Sequence, residues 1–146
     1  MTPADPDWRA RIEATFAAAG FLGLLGARLA EAAPGRCTIE AGFRPDLTQH
    51  HGLFHAGVLT TLADNAAGLA ALSLMPPDAE VLSVEFKLSF LRPGAGIAAV
   101  ARGEVLKPGR TLSFCRADVH MRQEDGHEVL AASMLATMIG AGPKAN

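Results

Sequence analysis

The most regular pattern in the chain runs from Val81 to Leu91, where Leu82, Val84, Phe86, Leu88 and Phe90 alternate with Ser83, Glu85, Lys87 and Ser89. A period of two sends successive side chains to opposite faces, so this segment is predicted as a strand with one apolar and one polar side. Pro93-Gly94 ends it. Ile97 to Leu106 and Thr111 to Arg122 read as two further strands joined through Lys107-Pro108-Gly109-Arg110, and Glu124-Asp125-Gly126 turns the chain into a last strand, Glu128 to Ile139. These four are expected to form a meander of successive hairpins. Upstream, Leu24 to Ala33 and Arg36 to Phe43 are expected as two strands across Ala33-Pro34-Gly35-Arg36. Before them, Asp7 can cap a short amphipathic helix through Trp8, Ile12, Phe16 and Ala19, which Gly20 would close.

Between these groups the period changes. A helix is predicted from His55 or Ala56 to just before Pro76-Pro77, about 18 residues and roughly 27 Å long. Small or apolar residues surround nearly its whole circumference, so it should be covered on most sides. Asp64 is the one ionisable residue between Gly57 and Leu74. Burying that carboxylate costs free energy unless it is hydrogen-bonded, paired or protonated, and catalysis is one reason to keep it there. The plain alternative is an exposed stripe, where a charge is cheap.

The order is one helix, two strands, one long helix and four strands. Helix and sheet segregate, which indicates an α+β fold with a largely antiparallel sheet around the long helix. The 146 residues suit a single domain, 1–146, with an N-terminal helical lid (1–20), a core (21–140) and a short tail (141–146). A hydrophobic content of 49% is high for one domain and suggests a subunit interface, while no apolar run reaches the ~18 residues of a membrane span. With 13 Lys and Arg against 15 Asp and Glu and no basic stripe, nucleic acid is not an expected partner. The N-terminus lacks the basic-then-apolar run of a signal peptide, and Cys37 and Cys115 read as reduced core thiols; a cytoplasmic setting is expected.

The string HAGVLTTLADNAAG, in which His55 precedes Asp64 by nine residues, and the later VEFKLSFLRP resemble the PaaI-type acyl-CoA thioesterases of the hotdog-fold superfamily. The likeness covers about residues 20–140. It implies a curved sheet wrapped around the central helix, pairing with a second subunit, and in many cases a tetramer of two such dimers. It also implies active sites at the dimer interface, with Asp64 of one subunit facing Gln49 through Gly57 of the other.

The resemblance assigns chemistry to particular residues. The helix-start amides of Ala56 and Gly57 would polarise the thioester carbonyl, that of Ala56 being the matching donor. A helix N-terminus offers free N–H groups and partial positive charge where the oxygen becomes negative. Family members generally carry Gly where this chain has Ala56, a change that keeps the amide. Asp64 would be a general base for water or a nucleophile forming a mixed anhydride. Gln49 stands where many relatives place an Asn that holds substrate or water, Ser83 matches a position that can orient the water, and His55 would touch the thioester or orient the loop. Arg92, Lys107 and Arg110, in turns, are candidates for the phosphates of coenzyme A, which is part of the substrate; no separate cofactor is implied. His50, His51 and His55 have no Cys or carboxylate at ligand spacing, so no metal is expected. Leu53, Phe54, Leu69 and Phe86 are candidates for the acyl pocket. Two other readings use the same pocket: a hotdog hydratase or dehydratase, and a non-catalytic acyl-CoA sensor or accessory subunit.

Overall fold

The computed structural model describes residues 1–142; the end of the expected tail, 143–146, lies outside the described residues. Its elements are α1 (Trp8–Ala18), α2 (Gly20–Leu24), β1 (Ala27–Ala33), β2 (Arg36–Gly42), a 3₁₀ turn (Pro45–Leu47), α3 (Ala56–Leu72), β3 (Glu80–Phe90), β4 (Ala98–Lys107), β5 (Leu112–Arg122) and β6 (Glu128–Ala141). All six strands form one antiparallel sheet in the order β1-β2-β4-β5-β6-β3. The sheet curls around α3, whose Leu59, Leu62, Ala63, Ala66, Ala67 and Ala70 are buried against it. This is the α+β arrangement that the pattern predicts.

Close approach of helix and sheet depends on Gly103 in β4. A Cβ there would lie 2.3 Å from the Ala66 carbonyl carbon and oxygen and 2.5 Å from the Ala67 nitrogen, so no side chain fits. At its C-terminus α3 is held by Arg11 of α1, which donates to the carbonyls of Leu72 (2.8 Å), Met75 (3.0 Å) and Pro76. Leu72 is the last residue of α3, Met75 and Pro76 follow it closely, and a cation suits that pole of the helix dipole. Asp5, 3% exposed, faces the same guanidinium at 3.3 Å.

Several expectations need correction. Gly20 does not close the first helix but opens the second, and the segment read as a strand from Leu24 begins only at Ala27, after Gly26 has turned the chain at φ +66°. The Asp7 side chain makes no cap; its backbone N–H donates to the Asp5 carboxylate at 2.8 Å. The four later strands are not all successive hairpins. β4, β5 and β6 form a meander, but β3 pairs with β6 at the sheet edge, and its link to β4 crosses the start of α3, where the Phe54 N–H meets the Gly94 carbonyl at 3.0 Å. The alternation in β3 is also interrupted: a bulge between Ser83 and Glu85 shifts the register, so that Ser83 lies opposite buried Met138 and Phe86 opposite buried Ala136. Ser83 and Phe86, of opposite parity, thus share the helix-facing side. The helix α3 is covered on most sides, as expected: Gly57 is exposed, and Thr60, Thr61, Asp64 and Asn65, at helical spacing, form a half-buried stripe along the remaining side.

Candidate active site

The loop before α3 is pinned at both ends. Thr48 and Phe54 form a bridge, the Gln49 N–H donates to the Leu53 carbonyl at 2.8 Å, and the His55 N–H donates to the Leu47 carbonyl at 2.9 Å. Phe54 is buried and packs edge-on against Phe43, with ring centroids 5.5 Å apart. The helix therefore starts from a fixed point.

At that start the two candidate donors separate. Nδ1 of His55 accepts the Gly57 N–H at 2.8 Å, an N-cap that consumes this amide. The ring can sit there because residue 57 is glycine; a Cβ would stand 2.9 Å from Nδ1. The Val58 N–H donates to the His55 carbonyl at 3.0 Å. The Ala56 N–H has no acceptor among the described residues and remains the available donor. Ala56 has ordinary right-handed backbone, since no non-glycine residue has positive φ among the described residues, so alanine costs nothing here. The contact observed for the His55 ring is this N-cap at the start of its own helix. As an acceptor its Nδ1 carries no hydrogen, which places the ring hydrogen on Nε2.

Asp64 lies half-buried in the middle of α3. Ser83 Oγ donates to its Oδ1 at 2.6 Å, the length of a charge-assisted bond. The β3 bulge makes this contact possible. Among the described residues no Lys, Arg or His pairs with Asp64, and its Oδ2 accepts no hydrogen bond. The arrangement is an oriented carboxylate with one oxygen free to take a proton.

The other candidates are more dispersed. Gln49 Oε1 accepts the His51 N–H inside its own loop, which engages the amide oxygen. Arg92 donates to the Leu130 carbonyl at 2.9 Å near the helix start. Lys107 ends β4, and Arg110 lines a small cavity with Met75 and Pro76 near the opposite end of α3. One chain therefore does not gather the three cations into one cluster. Of the pocket candidates, Phe54 and Leu69 belong to the core and Phe86 is exposed. Among the described residues no three His, Cys, Asp or Glu side chains form a metal-ligating group.

Sequence reasoning missed Arg44 and Asp46, which flank the helix start. Arg44 bonds both Asp46 oxygens at 3.0 and 3.1 Å and the Leu24 carbonyl at 3.0 Å, and the pair holds the Asp46 carboxyl below its usual range. Their i, i+2 spacing is the available signal. Phe21 and Leu24 were also missed: the first fell between the expected helix and strand, and the second was assigned to the strand.

An antiparallel sheet wrapped around one long central helix is the hotdog architecture. Comparison with known proteins agrees. Residues 51–129 match the family model for the Thioesterase superfamily. The chain is 32% identical over 121 residues to human acyl-coenzyme A thioesterase 13, covering 82% of this chain and 86% of that protein. A crystal structure of a thioesterase family protein from Silicibacter pomeroyi superposes with a TM-score of 0.90 at 40% identity, covering 92% of this chain and 98% of the other. The PaaI protein of Escherichia coli, at 19% identity and a TM-score of 0.81 over 94% of this chain and 95% of the other, shares the fold. The chain belongs to the Thioesterase superfamily as a PaaI-type hotdog thioester hydrolase.

Proposed function

We propose that the protein hydrolyses acyl-CoA thioesters of small, medium-chain or aromatic acids to the free acid and coenzyme A, at sites shared between two copies of the chain. The observation that carries this reading is the pairing of a free Ala56 N–H with a Ser83-oriented Asp64 on one helix. The two are eight residues apart, roughly 12 Å of helix rise, whereas a carbonyl must touch its donor at about 3 Å while the base reaches the water that attacks that same carbonyl from close by. One chain cannot serve one carbonyl with both groups, but two chains can. The half-buried Asp64–Asn65 part of α3 and the free edge of β3, with Val84, Phe86 and Phe90 exposed, support association along this side.

In the proposed reaction the thioester carbonyl oxygen accepts the Ala56 N–H of one copy, and Asp64 of the other removes a proton from an attacking water through Oδ2. Ser83 holds Oδ1. The tetrahedral intermediate collapses by breaking the carbon–sulfur bond, and the thiolate leaves, taking a proton to become the free thiol. Attack by Asp64 itself, with a mixed anhydride hydrolysed afterwards, uses the same groups. The relative named acyl-coenzyme A thioesterase 13 supports the choice of acyl-CoA as substrate. A cytoplasmic setting is supported by two buried, unpaired thiols.

The test is thiol release from short, medium and aromatic acyl-CoA thioesters by wild type and Asp64→Asn. A loss of at least about a hundredfold with the oligomer intact is expected. Near-normal turnover in the variant would remove Asp64 from the mechanism.

A further inference from the structure

Beside the start of α3 lies an open groove of about 700 Å³, formed by Phe21, Leu24, Leu25 and Val58 with Thr60 and Thr61 along the helix. Such a volume is within the range of small-molecule sites. Phe21 and Leu24 are 58% and 67% exposed, although the Leu22 between them is buried in the core, so α2 is anchored by one side chain and presents two large apolar ones to the groove.

The polar side chains on the groove are already engaged. Thr60 and Thr61 donate to the carbonyls of Ala56 (2.9 Å) and Gly57 (2.8 Å), four residues back on their own helix. Thr48 donates to the Pro45 carbonyl at 2.7 Å, Arg44 and Asp46 bond each other at the rim, and His55 Nδ1 holds the Gly57 amide. Such a lining offers hydrocarbon along its length, and one end of the groove reaches His55 and Gly57, the two neighbours of Ala56, whose N–H is unused. The complementary ligand is an apolar chain with one hydrogen-bond acceptor at its head, which describes an acyl thioester and neither a nucleotide nor a charged peptide.

We propose that this groove receives the acyl group and that Phe21 and Leu24 set the acyl length accepted; the assignment rests on the thioester-hydrolase reading of Ala56 and Asp64. Both residues are largely exposed, so replacing them leaves the core intact. The experiment measures kcat/KM for acetyl-CoA, butanoyl-CoA and octanoyl-CoA with wild type, Leu24→Glu and Phe21→Ser, alongside the oligomeric state of each. The octanoyl to acetyl ratio should fall at least tenfold in both variants, since pocket methylenes discriminate by factors of about ten or more. Equal changes for all three thioesters, or none, would overturn the groove assignment and leave the reaction standing. Dissociation of the oligomer by Leu24→Glu would overturn it too, by making the groove a contact between copies. A wild type inert on every thioester would overturn the reaction and the groove together.

Discussion

Ala56→Pro removes one hydrogen-bond donor and leaves nearly everything else in place. Residue 56 is the first residue of α3, where proline is well tolerated because that N–H has no partner within the helix. His55 before it has φ −63° and ψ 139°, the extended conformation that a following proline requires. The His55 cap uses the Gly57 amide and survives the change. Stability should therefore stay within about 0.5 kcal/mol of wild type by urea denaturation, while loss of a single oxyanion donor should cost about 100- to 1000-fold in kcat, or roughly 3–4 kcal/mol. Thiol release under saturating substrate gives kcat directly. Mixing Ala56→Pro with Asp64→Asn adds a second reading. If each site takes its amide from one copy and its carboxylate from the other, half of randomly assembled dimers are hybrids with one intact site of two, restoring about a quarter of wild-type activity. Ala56→Pro activity within fivefold of wild type would refute the donor assignment, and an unrestored mixture of exchanging subunits would refute the shared site.

Other expected outcomes follow from the packing and the buried thiols. Arg11→Met keeps the stem but removes three bonds to the end of α3 and leaves Asp5 buried without its partner; a loss of about 2–4 kcal/mol in urea denaturation is expected, and less than 1 kcal/mol would show that the clasp contributes little. Gly103→Ala forces a methyl into backbone atoms of α3 2.3 Å away, so the variant should lose at least about 3 kcal/mol or fail to accumulate as folded protein, as thermal unfolding and soluble yield would report. Burial pushes the Cys37 thiol up to about 12 and Cys115 to about 11. A raised folded value means stability is complete below the ordinary thiol pKa near 9 and falls as pH rises toward 12, by about 1.4 kcal/mol per pH unit for each thiol that ionises in the unfolded chain alone. Unchanged stability between pH 8 and 10.5 in Cys37→Ala and wild type alike would contradict that burial.

The sequence alone determined the elements whose signals are local. The long helix between a polar loop and Pro76-Pro77, the three-strand run from Ala98 to Ala141 and the segregation of helix from sheet are all written in periodicity and turn residues, as is the singularity of Asp64 within α3. The tertiary structure decided what depends on residues far apart. Strand alternation carries no record of a bulge, so the move of Ser83 to the helix side, and with it the 2.6 Å bond to Asp64, arises only when β3 pairs with β6. Pairing order is equally non-local: β3 skips its neighbour in sequence and takes the far edge. Composition made α3 look apolar throughout, but which side stays only half-buried depends on where the sheet stops. That the Gly57 amide is engaged while the Ala56 amide stays free depends on a side-chain rotamer, the His55 ring folding back on Gly57, and rotamers answer to packing rather than to spacing.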